Sequence, residues 1–203
     1  METRAPDWWP DAVSFLQQDE LLKNAVQKYG TYSISSRDNL FQTLLKSIVG
    51  QQISVAAADS IWKRLSEHIG EMTPENVLRR TQESIASCGV TRPKASYIYG
   101  LAEQASHLIE QPYDQMSDEE IKKHLISFRG IGPWTAEMML MFHFLRPDVF
   151  SIGDIGLVRA VEKLVPEVSS KEDILAISER WKPYRTAASW YLWRTIDPEP
   201  VEY

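Results

Sequence analysis

Two clusters of residues in this chain have types and spacing that could do chemistry. They are Phe128-Arg129-Gly130-Ile131-Gly132-Pro133-Trp134-Thr135-Ala136 and, further on, Asp148-Val149-Phe150-Ser151-Ile152-Gly153-Asp154. In the first, two glycines flank one apolar residue between two helical patterns. Such a hairpin brings the backbone close to a ligand, and the helix after it opens with unpaired amides and the positive end of its dipole. A phosphate oxygen can be held there without any lysine. In the second cluster a carboxylate, Asp154, lies downstream of the hairpin, where it can stabilise a developing cation or orient a water. Together the two features favour a nucleic-acid enzyme. Each also has a plainer reading. Gly-Ile-Gly can be a packing turn between core helices, and Asp154 stands where an N-cap would, just before Ile155, Leu157, Val158 and Val161.

The elements that must position these residues read as helices. Ser117-Asp118-Glu119-Glu120 has the capping-box form, and Ile121, Leu125, Ile126 and Phe128 follow at helical spacing. Gly130 is expected to end that helix, Gly132 is free to adopt positive φ, and Pro133 suits the first turn of a helix that Thr135 to Leu145 continue. Leu40, Leu44, Leu45 and Ile48 form one apolar stripe, and Val55, Ala58, Ile61, Trp62 and Leu65 a second. Thr73-Pro74-Glu75 begins a short helix, Thr81 caps another ending at Gly89, and Lys94 to Leu108 repeats at helical spacing. Ser169 or Ser170 caps a later helix, and a last one carries Tyr184 to Arg194. Strand alternation is confined to the ambiguous Tyr32-Ser33-Ile34, so the fold class expected is all-α.

At 203 residues, with 43% hydrophobic and 25% charged content, the chain can bury a substantial core as one domain, with room for two lobes. No run approaches the ~20 apolar residues of a membrane span, and the N-terminus has no signal-peptide pattern, so a cytosolic or nuclear protein is expected. One cysteine, Cys88, excludes an intramolecular disulfide and a cysteine-ligated iron-sulfur or zinc centre. A net charge of −6 and a pI near 5.3 oppose indiscriminate polyanion binding. The acidic residues are unevenly placed, with Glu2, Asp7, Asp11, Asp19 and Glu20 near one end and Asp197, Glu199 and Glu202 near the other. Lys94, Arg129, Lys182 and Arg185 fall near glycines or aromatics and leave scope for a local positive face.

Five stretches, in order, resemble the motif series of the helix-hairpin-helix (HhH-GPD) DNA glycosylases, most closely the 3-methyladenine DNA glycosylase II (AlkA-like) branch. They are Leu45 to Ser54, Gly89 to Ala95, Gly130 to Ala136, Asp148 to Phe150 and Arg180 to Arg185, within a resemblance spanning about 38 to 195. The resemblance implies one helix-hairpin-helix glycosylase domain, 1–203, of two helical lobes with a cleft between them, in a short form without the N-terminal β domain. Lobe one would take about 38–140, including the hairpin 128–136, and lobe two about 1–35 plus 145–203. Gly153 departs from the pattern, standing where some relatives carry a second acidic residue.

By the same resemblance Asp154 is the catalytic residue, its capping role fixing the side chain that does the chemistry. Cleaving an N-glycosidic bond leaves cationic character on the deoxyribose, which a carboxylate stabilises. Members that also nick the strand use a lysine close behind the hairpin. Here Pro133, Trp134, Thr135 and Ala136 fill that region and the next lysine is Lys163, which implies a monofunctional enzyme. Trp134 and Trp193 match the pocket tryptophans, with Tyr184 beside them; Trp181 and Trp190 fit a core equally well. Gly130, Gly132, Trp134 and Thr135 would anchor the DNA backbone. The wedge that fills the gap in the duplex is Gln52, or alternatively Ile53, while the plainer reading makes Gln51 and Gln52 loop-stabilising amides. No metal and no cofactor is required, with hairpin carbonyls offering a monovalent cation a place. The implied partner is double-stranded DNA containing alkylated purines, 3-methyladenine and 7-methylguanine above all, with hypoxanthine an extra, in base excision repair. A monomer is expected, with no membrane contact, in the bacterial cytoplasm at the nucleoid or in a nucleus. A noncatalytic helix-hairpin-helix DNA-binding module and a helical protein-interaction scaffold are the alternatives.

Overall fold

Side-chain caps mark where most elements of this chain begin. The computed structural model describes residues 5–30, 32–36, 39–168 and 170–197, except the side chain of Val55, and every regular element among them is helical. The described residues part into two compact units, the first taking those up to Ser36 and from Glu137 on, the second those from 39 to Ala136.

The first unit opens with α1 (Trp9–Leu16) and α2 (Lys23–Tyr29). The second holds α3 (Leu40–Gly50), α4 (Val55–Ile69), α5 (Pro74–Leu78), α6 (Gln82–Ser87), α7 (Arg92–Glu103), α8 (Ala105–Ile109) and α9 (Asp118–Ile126). Asn39, Ser54, Thr73, Thr81 and Thr91 each accept the backbone amide three residues on, and Ser117 and Glu120 form the expected capping box. Each such cap contributes about 1 kcal/mol by satisfying an amide that the helix itself leaves unpaired. The predicted stripe on α3 is buried throughout: Leu44, Leu45 and Ile48 are fully enclosed, each contributing roughly 1.5–3 kcal/mol by leaving water. The stretch expected as one helix from Lys94 to Leu108 is two, because Gln104 leaves helical geometry at φ −106°, ψ 18°.

α10 (Pro133–Phe142) starts in the second unit and ends in the first. It stops before its apolar pattern does. Leu145 turns left-handed at φ 52°, and the amides of Phe144 and Arg146 close back on the carbonyls of Met139 and Leu140 at 2.9 and 2.8 Å. The chain then completes the first unit with α11 (Ile155–Leu164), α12 (Lys171–Ser178) and α13 (Arg185–Ile196). Ser170 caps α12 in a second capping box, with Asp173 as its partner; Ser169 lies outside the described residues. α13 is the axis of this unit. Thr186 to Leu192 are buried in an unbroken run, and Ala187, Ala188 and Ser189 are small enough to admit neighbours on every side. Trp9 meets Trp190 edge-on at 5.8 Å, and Trp181 is fully enclosed in the same core.

Candidate active site and backbone-binding hairpin

The loop leading to the candidate carboxylate is tied down within the first unit. Trp8 Nε1 donates to the Leu145 carbonyl at 2.8 Å. Thr186 Oγ1 donates to the Arg146 carbonyl at 2.6 Å and accepts from the Val149 amide at 3.0 Å. Arg185 clamps both carboxylate oxygens of Asp148, at 2.7 and 3.0 Å, a planar fork that fixes direction as well as distance. Ser151, fully buried, donates to Glu137 Oε2 at 2.6 Å, and its carbonyl accepts the Asp154 amide at 3.0 Å.

Asp154 therefore reaches the start of α11 in a set orientation. Its Oδ1 accepts from the Leu157 amide at 2.8 Å and from Trp193 Nε1 at 3.0 Å, and the residue is only 7% exposed. The N-cap reading of Asp154 holds, and the positive end of α11 suits its charge. Trp193 in turn stacks on Phe142, with ring centroids 5.8 Å apart at 28°. The product is a rigid carboxylate beside a braced indole: a fixed negative charge next to a flat apolar surface.

Gly156 packs closely against that pair, and sequence reasoning missed it. A Cβ there would stand 3.0 Å from Asp154 Oδ1 and 3.2 Å from Trp193 Cδ1. The signal was available. A glycine in the first turn of a helix costs about 1 kcal/mol relative to alanine, and one without a left-handed φ to justify it implies close packing. Phe142 and the Ser151–Glu137 bond were also missed, because they join residues whose neighbourhood only the fold decides.

The hairpin lies in the second unit. Phe128 is buried against His124 and His107, with centroids 5.2 and 5.7 Å away. α9 ends at Ile126, ahead of the expected Gly130, and it is Gly130 and not Gly132 that takes positive φ, at 92°. A side chain is excluded there on a second ground as well: the Tyr97 ring would lie 2.5 Å from a Cβ on Gly130. Ala136 is the first amide of α10 to close on the helical ladder, at 3.0 Å from the Gly132 carbonyl. The amides of Gly132, Trp134 and Thr135 come before it, at the helix's positive end.

The turn after α3 is fastened to the hairpin. Gln51 Nε2 donates to the Gly130 carbonyl at 3.0 Å and to Thr135 Oγ1 at 3.3 Å. Lys94 Nζ donates to the carbonyls of Val49 and Gln51, both at 2.7 Å, and burial pulls its pKa below the usual lysine value. Gln52 is exposed with φ 59°, and Ile53 is 39% exposed. Gln51 thus has the loop-stabilising role, while Gln52 and Ile53 stand in solvent.

Of the residues singled out from the sequence, the structure joins Asp154 to Trp193 directly, and Gly130 to Thr135 through Gln51. Tyr184 has other neighbours: it stacks on Trp8 at 6.4 Å and meets Phe15 edge-on at 5.7 Å. Trp181 and Trp190 are buried in the core, and Trp134 is half-buried in the first turn of α10. No group of three or more histidine, cysteine or acidic side chains among the described residues could hold a metal ion, and no helix among them is long and apolar enough to cross a membrane.

An all-helical fold in which a glycine hairpin joins two helices is the architecture of a helix-hairpin-helix protein. Residues 45–184 match the HhH-GPD superfamily of base excision DNA repair proteins, and the chain belongs to that superfamily. It is similar to a DNA-3-methyladenine glycosylase of Bacillus subtilis, at 32% identity over 194 residues, covering 88% of this chain and 64% of that protein. The chain thus spans just under two thirds of that relative's length. DNA-3-methyladenine glycosylase 1 of Schizosaccharomyces pombe is 31% identical over 188 residues, which cover 87% of this chain and 82% of that one. Among solved structures, a Schizosaccharomyces pombe 3-methyladenine DNA glycosylase in complex with abasic DNA matches with a TM-score of 0.79 at 31% identity, covering 91% of this chain and 96% of that one.

Proposed function

We propose that this protein is a monofunctional DNA glycosylase that hydrolyses the N-glycosidic bond of alkylated purines, 3-methyladenine and 7-methylguanine above all, in base excision repair. The observation that carries the reading is the Asp154 carboxylate, nearly enclosed and held by the Leu157 amide and the Trp193 indole. A base inside a duplex cannot be hydrolysed in place, so the nucleotide turns out of the stack. Trp193 offers aromatic surface to an electron-poor ring, and Trp134 and Tyr184 are the other residues proposed for the base. As the base departs, positive charge grows on the deoxyribose; Asp154 opposes it and orients or deprotonates the attacking water. Because methylated purines of this kind are already cationic, they leave without needing a strong acid. Water, not a lysine, completes the reaction: Pro133 to Ala136 supply no amine, and Lys163 on α11 donates to the Thr195 carbonyl at 2.7 Å.

The backbone amides of Gly130, Gly132, Trp134 and Thr135 anchor a phosphate, with hairpin carbonyls able to take a monovalent cation, and Gln52 or Ile53 fills the vacated stack. The protein acts as a monomer on chromosomal DNA, in a nucleoid or a nucleus, without a required cofactor. Incubation with methylated duplex DNA and chromatography of the released bases tests this. Free 3-methyladenine and 7-methylguanine, with strands left intact until alkali is added, are expected. DNA binding without any released base would make the chain a noncatalytic module, and strand breaks before alkali would overturn the monofunctional assignment.

A further inference from the structure

We propose that Lys94 is a positioning residue for base extrusion, gripping the Gln51 carbonyl so that the turn after α3 presents Gln52 as the wedge. This rests on the glycosylase reading above, since a wedge has work only where a base leaves a stack.

The turn itself is the starting point. The Ile53 amide closes on the Gly50 carbonyl at 3.4 Å, Gln51 has φ −54°, ψ 127°, and Gln52 has φ 59°. These are the angles of a type II turn, whose third residue is ordinarily glycine or asparagine because its φ is positive. A glutamine there is strained and must be held by its surroundings. Types I and II differ by a flip of the central peptide, here Gln51–Gln52, and the atom that swings in that flip is the Gln51 carbonyl oxygen. That oxygen is one of the two that Lys94 Nζ holds at 2.7 Å, the other being Val49 in the last turn of α3. Meanwhile the Gln51 side chain reaches the Gly130 carbonyl and the Thr135 hydroxyl. The peptide that sets the aim of Gln52 is thus pinned from one side by Lys94, while its neighbour ties the turn to the hairpin. Burial holds the Lys94 pKa below the usual lysine value, so the contact carries some desolvation cost.

Lys94→Met, Gln52→Gly and the double variant test this in single-turnover assays on one 7-methylguanine, placed either in a fully paired duplex or in an unpaired loop where it is already unstacked. Lys94→Met should slow release from the paired duplex about tenfold and from the loop less than about twofold, and in the Gln52→Gly background it should change the paired rate less than about twofold. Equal losses on both substrates, or an undiminished loss in the Gln52→Gly background, would assign Lys94 a purely structural role and overturn the proposal. Should the wild type release no base from either DNA, the glycosylase reading fails on its own. The wedge is then read from the fluorescence of 2-aminopurine stacked beside an abasic analogue. Wild-type binding should brighten it, and Lys94→Met and Gln52→Gly should blunt that rise to the same extent. A rise with Lys94→Met as large as the wild type's overturns the proposal.

Discussion

The starts of α11 and α10 use the same electrostatics in opposite ways. α11 begins with a carboxylate of the chain itself, Asp154, whose Oδ1 takes the Leu157 amide at 2.8 Å. α10 begins after Gly132, which has no side chain to accept an amide, and continues with Pro133, which has no amide to give. Where the protein supplies its own anion, the group is held still, braced further by Trp193, with Gly156 packed closely against both. At the start of α10 we propose that the anion comes from outside, as a phosphate. Chemistry needs a group whose direction is over-determined; anchoring a strand needs donors that any phosphate can meet.

If that division is right, substitutions at the two starts should fail in different assays. Asp154→Ala removes the charge, the cap and the acceptor of Trp193 at once. Base release should fall by about a thousandfold or more, and denaturant titration should show a loss of about 1–2 kcal/mol. Gly130→Ala forces a side chain into left-handed geometry against Tyr97. It should cost roughly 2–3 kcal/mol of stability and weaken binding to abasic DNA; unchanged melting and affinity would show that the hairpin gives way easily. Gly156→Ala gains up to about 1 kcal/mol of helix propensity while crowding the Asp154–Trp193 pair. Slower release, by about tenfold, with an unchanged or higher melting temperature is the expected signature, and a rate equal to the wild type's would show that the pair tolerates a Cβ.

The smallest effect concerns pH and lies behind the hairpin. Burial first, and then the charge of neighbouring His107, hold the His124 pKa below its ordinary value. Unfolding raises that pKa, so the unfolded chain binds the proton more readily. The neutral ring therefore contributes stability above about pH 6.5 that is lost as pH falls toward the folded-state value. Melting temperature should drop more between pH 7 and pH 5 in the wild type than in His124→Leu; parallel curves would contradict this.

Helix starts were legible because their signals are local. Thr73, Thr81, Ser117 and Asp154 cap where expected, since a cap is decided by one side chain and an amide three residues on. The hairpin was legible as a hairpin, yet not that its positive φ falls on Gly130 or that Tyr97, far off in sequence, packs against that position. Asp154 could be picked out as a carboxylate in the right place, but its indole partner on α13 could be matched only through resemblance, and Gly156 only through the contact it permits. The aromatic residues divide similarly. Trp181 and Trp190 look no different from Trp193 on a sequence, and only packing sends two of them into the core and leaves the third half-buried on Asp154.

The central claim is that the charge of Asp154, and not its cap, drives the reaction. Asparagine can still accept the Leu157 and Trp193 hydrogen bonds through its side-chain oxygen and caps a helix about as well as aspartate. Single-turnover release of 7-methylguanine by Asp154→Asn is therefore the most direct measurement. The account predicts a loss of about a thousandfold, with melting temperature and abasic-DNA affinity close to those of the wild type. Release by Asp154→Asn at the wild-type rate would contradict it.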